Sequence, residues 1–132
     1  VLLRPAYLHV ENGVSLGASH GIGHILGGTA GMPHGETSCV MLPHVLRYNA
    51  ASNSAQQTVL AEIMGNKKTE LADHVQQLVA ELGLPGRLRD ADVPKELLRT
   101  LAEESLLDIW IATNPHPLNS VDEILELLTK AW

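Results

Sequence analysis

Gly17-Ala-Ser-His-Gly-Ile-Gly-His-Ile-Leu-Gly-Gly-Thr-Ala-Gly-Met-Pro-His-Gly-Glu36 places His20, His24 and His34 inside one glycine-rich run. His20 and His24 are four residues apart, so on a helix they share a face and point into one cavity. Imidazole is the commonest protein ligand for borderline divalent metals. His34 arrives after the Gly31-Met32-Pro33 break and closes the cavity from another direction. In the first turn of its own helix it meets unpaired N–H groups and positive dipole, which keep an imidazole neutral and able to ligate. The glycines at 17, 21, 23, 27 and 28 each cost a helix on the order of 1 kcal/mol relative to Ala. Close approach of a neighbouring backbone, a substrate or a cofactor ring to a surface without Cβ atoms explains their presence.

Outward from this run, Leu, Ala, Glu and Gln recur at three- and four-residue intervals, and aromatic content is 3% with no Phe. The pattern predicts an all-α fold, a multi-helix bundle. A short helical segment over Tyr7 to Glu11, ended by Asn12-Gly13, precedes a helix from about Gly17 to Gly28. A helix from about His34 to Tyr48 is interrupted or bent at Pro43, and another covers Ser54 to Met64. Thr69 caps a helix through Leu82 with Gly83 as its stop; Leu71, Val75, Leu78, Val79 and Leu82 form its apolar stripe. Asp92 and Pro94 open a helix to about Ile109, and Asn114-Pro-His-Pro117 is an extended loop. Ser120-Val-Asp-Glu123 reads as a capping box for a last helix burying Val121, Ile124, Leu125, Leu128 and Trp132.

At 132 residues with 45% hydrophobic content, the chain is expected to be one helical domain with a core of its own, without repeats or linkers. A formal charge of -6 with only 9 Lys plus Arg argues against nucleic acid and against a polybasic membrane surface. No apolar run approaches the roughly 18 residues a membrane span needs, and Val1-Leu-Leu-Arg-Pro5 lacks the plan of a signal peptide. A lone Cys39 fits a reducing compartment, so the expected location is cytoplasmic. A first residue other than Met points to a piece of something longer.

Each candidate residue has a plain structural alternative. An isolated His-x3-His is usually a pair of surface imidazoles; here the glycines and His34 favour metal binding. The zinc-peptidase pattern needs Glu directly after the first histidine, where this chain has Gly21, so that chemistry is excluded. His44 reads as a packed core histidine, His9, His74 and His116 as surface or loop residues, and Cys39 as a small buried hydrophobe. Glu36 either complements the helix dipole or orients an imidazole, and Arg87 and Arg89 read as solvated charges.

The residues Gly17 to Asn49, with Leu84-Pro-Gly-Arg-Leu-Arg-Asp90, Val93-Pro94, Thr113-Asn-Pro-His-Pro117 and Glu123-Ile-Leu-Glu-Leu-Leu-Thr-Lys-Ala-Trp132, resemble the iron-containing alcohol dehydrogenase family, close to its maleylacetate reductase branch. The resemblance covers nearly the whole chain and implies the all-helical C-terminal domain of a two-domain oxidoreductase. It further implies a partner N-terminal α/β domain that binds NAD or NADP, and a divalent metal, Fe(II) or Zn(II), held by the helical domain. By this resemblance His20 and His34 are two of the metal ligands. His24 is the histidine beside substrate and nicotinamide, serving proton relay or positioning. The family's remaining ligands, an Asp and a His four residues apart, are expected before Val1.

The resemblance implies a small alcohol, aldehyde or keto-acid as substrate. The metal then acts as a Lewis acid on its oxygen while hydride passes between carbon and nicotinamide. With two imidazoles and no phosphate-cradling loop, this chain alone is expected to bind metal weakly, to hold no dinucleotide and to be inactive. The alternative expectation is a free-standing, non-catalytic helical module for binding or assembly, with a homo-oligomer among its forms.

Overall fold

A computed structural model describes residues 15–65 and 69–132, so the segment expected over Tyr7 to Glu11, with His9, lies outside the described residues. Among those described, the regular structure is helical with no strand: α1 (Ala18–Ala30), α2 (His34–Ile63), α3 (Leu71–Glu81), α4 (Leu98–Ser105) and α5 (Val121–Ala131). Short 3₁₀ turns at Leu88–Ala91 and Lys95–Leu97 lead into α4. The long α2 is the spine: α1, α3 and α5 pack on it, while α4 bridges α5 and α1.

The core follows helical spacing. Ala18, Ile22 and Leu26, four residues apart on α1, meet Val40, Met41 and Val45 of α2, Leu98, Leu101 and Ala102 of α4, and Ile124, Leu127, Leu128 and Ala131 of α5. Gly31 ends α1 in the left-handed region at φ 69°, and the Met32 N–H returns to the Leu26 carbonyl at 3.2 Å. The chain thereby reverses in a few residues and delivers His34 as the first residue of α2.

In two places the helices run differently from the expectation. The segments expected at His34 to Tyr48 and Ser54 to Met64 are two helices joined across a kink at Asn53 into one element of 30 residues, so the break falls just before Ser54 and the first helix runs on past Tyr48. Pro43 sits inside it with helical dihedrals, and the only non-helical pair within the element is at Asn53 (φ -138°, ψ 28°). No Gly or Pro follows Tyr48 to stop the first helix there, and Ala50 and Ala51 favour its continuation as far as the kink at Asn53. The helix expected from Asp92 to Ile109 is instead α4, which stops at Ser105, followed by a string of tight turns through Asn114. Asp108 enforces this stop: its Oδ1 accepts the Trp110 N–H at 2.9 Å, a local bond that competes with helix.

The α3 stripe is only half covered. Leu71 and Val79 are buried, but Leu78 and Leu82 are 45% and 64% exposed, because among the described helices α3 packs mainly against α2 and the stripe is wider than that contact. Exposed Val59, Leu60, Ile63 and Met64 extend the apolar surface at this end of α2. No described helix is long and apolar enough to cross a membrane.

One buried amide ties the helices at the site's far side. Asn114 Oδ1 accepts the Ala18 N–H at 3.0 Å, taking the capping role that Gly17 has no side chain to play. Its Nδ2 donates to Asn49 Oδ1 at 2.7 Å and to the His116 carbonyl at 2.7 Å. The start of α1 is thus fastened to the middle of α2 and to the loop before α5. Tyr48 adds a bond from its hydroxyl to the Pro117 carbonyl at 2.7 Å.

Candidate active site

Helical spacing on α1 puts His20 and His24 on one face, and the Gly31 reversal brings His34 against them. The ring centroids lie 4.2 Å apart for His20 and His24, 5.5 Å for His20 and His34, and 6.2 Å for His24 and His34. His20 meets both neighbours edge to face, at interplanar angles of 68° and 89°. The buried Trp110 ring stands 6.4 Å from His20 and backs it from the turn after α4. His20 is half-buried while His24 and His34 are exposed, so the cluster forms an open face.

The glycines of α1 divide by role. A Cβ on Gly23 would lie 2.8 Å from Thr37 Oγ1, and one on Gly21 would lie 3.0 Å from Asp108 Oδ1. Thr37 is fully buried and its hydroxyl donates to the His34 carbonyl at 2.7 Å, so Gly23 lets α2 come close enough to set His34 in place. Gly28 has open space where its Cβ would be. The close approach expected of these glycines is therefore met at positions 17, 21 and 23 by side chains of this chain, Gly17 facing Asn114 Oδ1 at 3.0 Å from its would-be Cβ, and position 28 plays no part in it.

Asp108 was not marked by sequence reasoning. Its Oδ2 lies 3.0 Å from His24 Nδ1, with the carboxylate side chain 12% exposed and the histidine 42%. Among the described residues Asp108 is a carboxylate paired with an imidazole of the cluster. Its sequence signal is faint but real: a single acid inside the apolar run Leu106-Leu-Asp-Ile-Trp-Ile111. Leu107 and Ile109, on either side of it in sequence, are 84% and 60% exposed.

The other histidines stand apart from this group. His44 is half-buried on α2, and burial, reinforced by the charges of Arg47 and Lys130, pushes its pKa below the ordinary imidazole value. His74, expected at the surface, has its Nε2 buried without a hydrogen-bond partner among the described residues. His116 accepts or donates at Nδ1 to Ser52 Oγ at 2.9 Å and packs on Tyr48. Cys39 is half-buried and its thiol donates to the Gly35 carbonyl. Arg89 is not simply solvated: its guanidinium lies over the Trp132 ring, 5.6 Å from the centroid. Two clefts of about 240 Å³ lie away from the histidines, one between α2 and α3 beside Arg47 and Gln57, the other beside Asn49 and Asn114.

Imidazole is suitable donor chemistry for Fe(II) or Zn(II), and His20 and His34 present two such donors side by side. Among the described residues no group of three or more His, Cys, Asp and Glu is arranged to hold a metal ion, so these donors make part of a site and not a closed cage.

This histidine-bearing helical bundle is that of a known class of oxidoreductase domain. Residues 10–132 match the model of the Fe-containing alcohol dehydrogenase family, C-terminal, and the chain belongs to that family. It is 34% identical over 128 residues to lactaldehyde reductase of Escherichia coli, a match covering 90% of this chain and 33% of the relative. The crystal structure of 1,3-propanediol oxidoreductase superposes with a TM-score of 0.81 at 32% identity, over 89% of this chain and 33% of that one. Maleylacetate reductase from Agrobacterium tumefaciens gives 0.77 at 28% identity, over 90% of this chain and 32% of that one. The chain thus spans about a third of the length of the relatives it matches.

Proposed function

We propose that this chain is the metal- and substrate-binding C-terminal domain of an NAD(P)-dependent oxidoreductase, cytoplasmic, acting on a small alcohol or carbonyl compound of the kind its relatives are named for. The observation that carries the reading is the convergence of three imidazoles from α1 and the first residue of α2. In this reading His20 and His34 are metal ligands, completed by an Asp and a His four residues apart on an earlier helix, and His24 faces the substrate. When bound, the metal supplies Lewis acidity at the substrate oxygen and the nicotinamide exchanges hydride with the neighbouring carbon. The chain's own residues then position and protonate: His24 moves a proton to or from the substrate oxygen, and Trp110 walls the cluster. The open face formed by exposed His24 and His34 is the surface the nucleotide-binding part would close, excluding water from the reacting atoms.

The test joins this chain to a complete N-terminal part and follows NAD(P)H absorbance. Turnover is expected in the joined protein and a loss of at least about 100-fold in His20→Ala and His34→Ala; undiminished turnover in both variants counts against the reading.

The exposed apolar residues at the α2/α3 end favour a second reading, a binding or assembly module. That reading requires a dimer or partner complex of the chain by itself in light scattering; a monomer excludes the self-assembling form.

A further inference from the structure

We infer that Asp108 is a positioning residue that fixes the tautomer of His24, an inference resting on the proposed function. The geometry is specific at both carboxylate oxygens. Oδ1 accepts the Trp110 N–H at 2.9 Å, which pins the carboxylate to the turn after α4; Oδ2 then faces His24 Nδ1 at 3.0 Å across 84 residues of sequence. Gly21 makes the approach possible, since a Cβ there would come within 3.0 Å of Oδ1. An ionised carboxylate only accepts hydrogen bonds, so the histidine nitrogen facing it must carry the hydrogen. Neutral His24 is therefore held as the Nδ1–H tautomer, with its lone pair on Nε2. This is the arrangement by which a buried carboxylate orients a catalytic imidazole in hydrolytic triads.

A bound nicotinamide would supply the hydride exchange; His24 Nε2 would take the hydroxyl proton in alcohol oxidation and return it to the oxygen in carbonyl reduction. Without Asp108 the ring loses the acceptor that selects its tautomer and keeps only its contacts with the His20 and His34 rings.

Asp108→Asn is the sharpest probe because it keeps shape and size. Its carbonyl oxygen retains the Trp110 bond, so its amide turns an N–H toward His24 and demands a bare Nδ1. Long-range proton–nitrogen correlation spectra of the nitrogen-labelled chain, at a pH where His24 is neutral, read the tautomer directly without metal or turnover. Expected is Nδ1–H in the wild type and Nε2–H in Asp108→Asn. A wild-type ring already in the Nε2–H form, or the same tautomer in both proteins, overturns the inference. The wild-type measurement decides the point even if the variant does not fold.

In the joined enzyme, Asp108→Asn should lower kcat about 10- to 100-fold with KM nearly unchanged, and Asp108→Glu should recover part of the loss. Undiminished turnover in His24→Ala would overturn the functional reading itself. An inactive His24→Ala beside a fully active Asp108→Asn would overturn only the role of Asp108.

Discussion

At the scale of the residue, two glycines of the same helix call for opposite outcomes on substitution. Gly23→Ala drives a methyl against Thr37 Oγ1, which is buried and already bonded to the His34 carbonyl. The helix-propensity gain of roughly 1 kcal/mol is outweighed by overpacking of about 1–3 kcal/mol, so urea denaturation should show net destabilisation. Gly28→Ala meets open space within α1 and should stabilise by about 0.5–1 kcal/mol in the same measurement. Sequence alone could not separate these positions, since both appear as helix-weakening glycines and the difference is what α2 places opposite each. The three histidines were legible because i and i+4 spacing and a Gly-Pro break are local geometry. Asp108 was not, because its partner is 84 residues away and its turn hides inside an apolar run that scans as helix.

At the scale of the element, caps and breaks decide where helices begin and stop. The Ser120 box is formed as read: Ser120 Oγ accepts the Glu123 N–H at 3.3 Å and Glu123 Oε2 accepts the Ser120 N–H at 3.0 Å. Hydrogen bonds from the Asn119 backbone and from Ser120 hold the Glu123 carboxyl below its ordinary value. A carboxylate with a depressed folded pKa stabilises the fold above its unfolded pKa of about 4.5 and loses that contribution as pH falls through the lower folded value. Helical circular dichroism in acid should therefore fall less in Glu123→Gln, relative to its own neutral-pH value, than in the wild type. The start of α1, by contrast, depends on an amide 96 residues away. Asn114→Ala leaves the Asn49 amide and the Ala18 N–H without their partner and should cost about 3 kcal/mol by urea denaturation, at the scale of several buried hydrogen bonds lost together. Asn114→Asp should rescue little, because a carboxylate cannot supply the two donations to Asn49 and His116. The Asn-Pro-His-Pro stretch was legible as a loop; its role as a clamp was not, because that depends on which backbone ends arrive beside it.

At the scale of the whole molecule, α2 carries both a chemical end and a structural end. Its first residue joins the histidine cluster, its middle is locked to α1 and the C-terminal loop, and its last turns leave apolar side chains uncovered. His44 sits on this spine near Arg47 of the same helix and Lys130 of α5, and links protonation to the packing of the bundle. Burial comes first in lowering its pKa and the two cations add to it. Between the lowered folded value and the unfolded 6.5, the unfolded chain binds the proton while the folded one does not. Unfolding therefore takes up protons in that window, and stability must fall as pH drops through 6.5, levelling once the folded ring also titrates. Replacing His44 with Gln removes the titration but keeps a polar side chain on the same stretch of helix. Denaturation midpoints collected from neutral pH downward should show a shallower decline in His44→Gln than in the wild type; matching slopes would mean that the packing of α5 on α2 is indifferent to this proton.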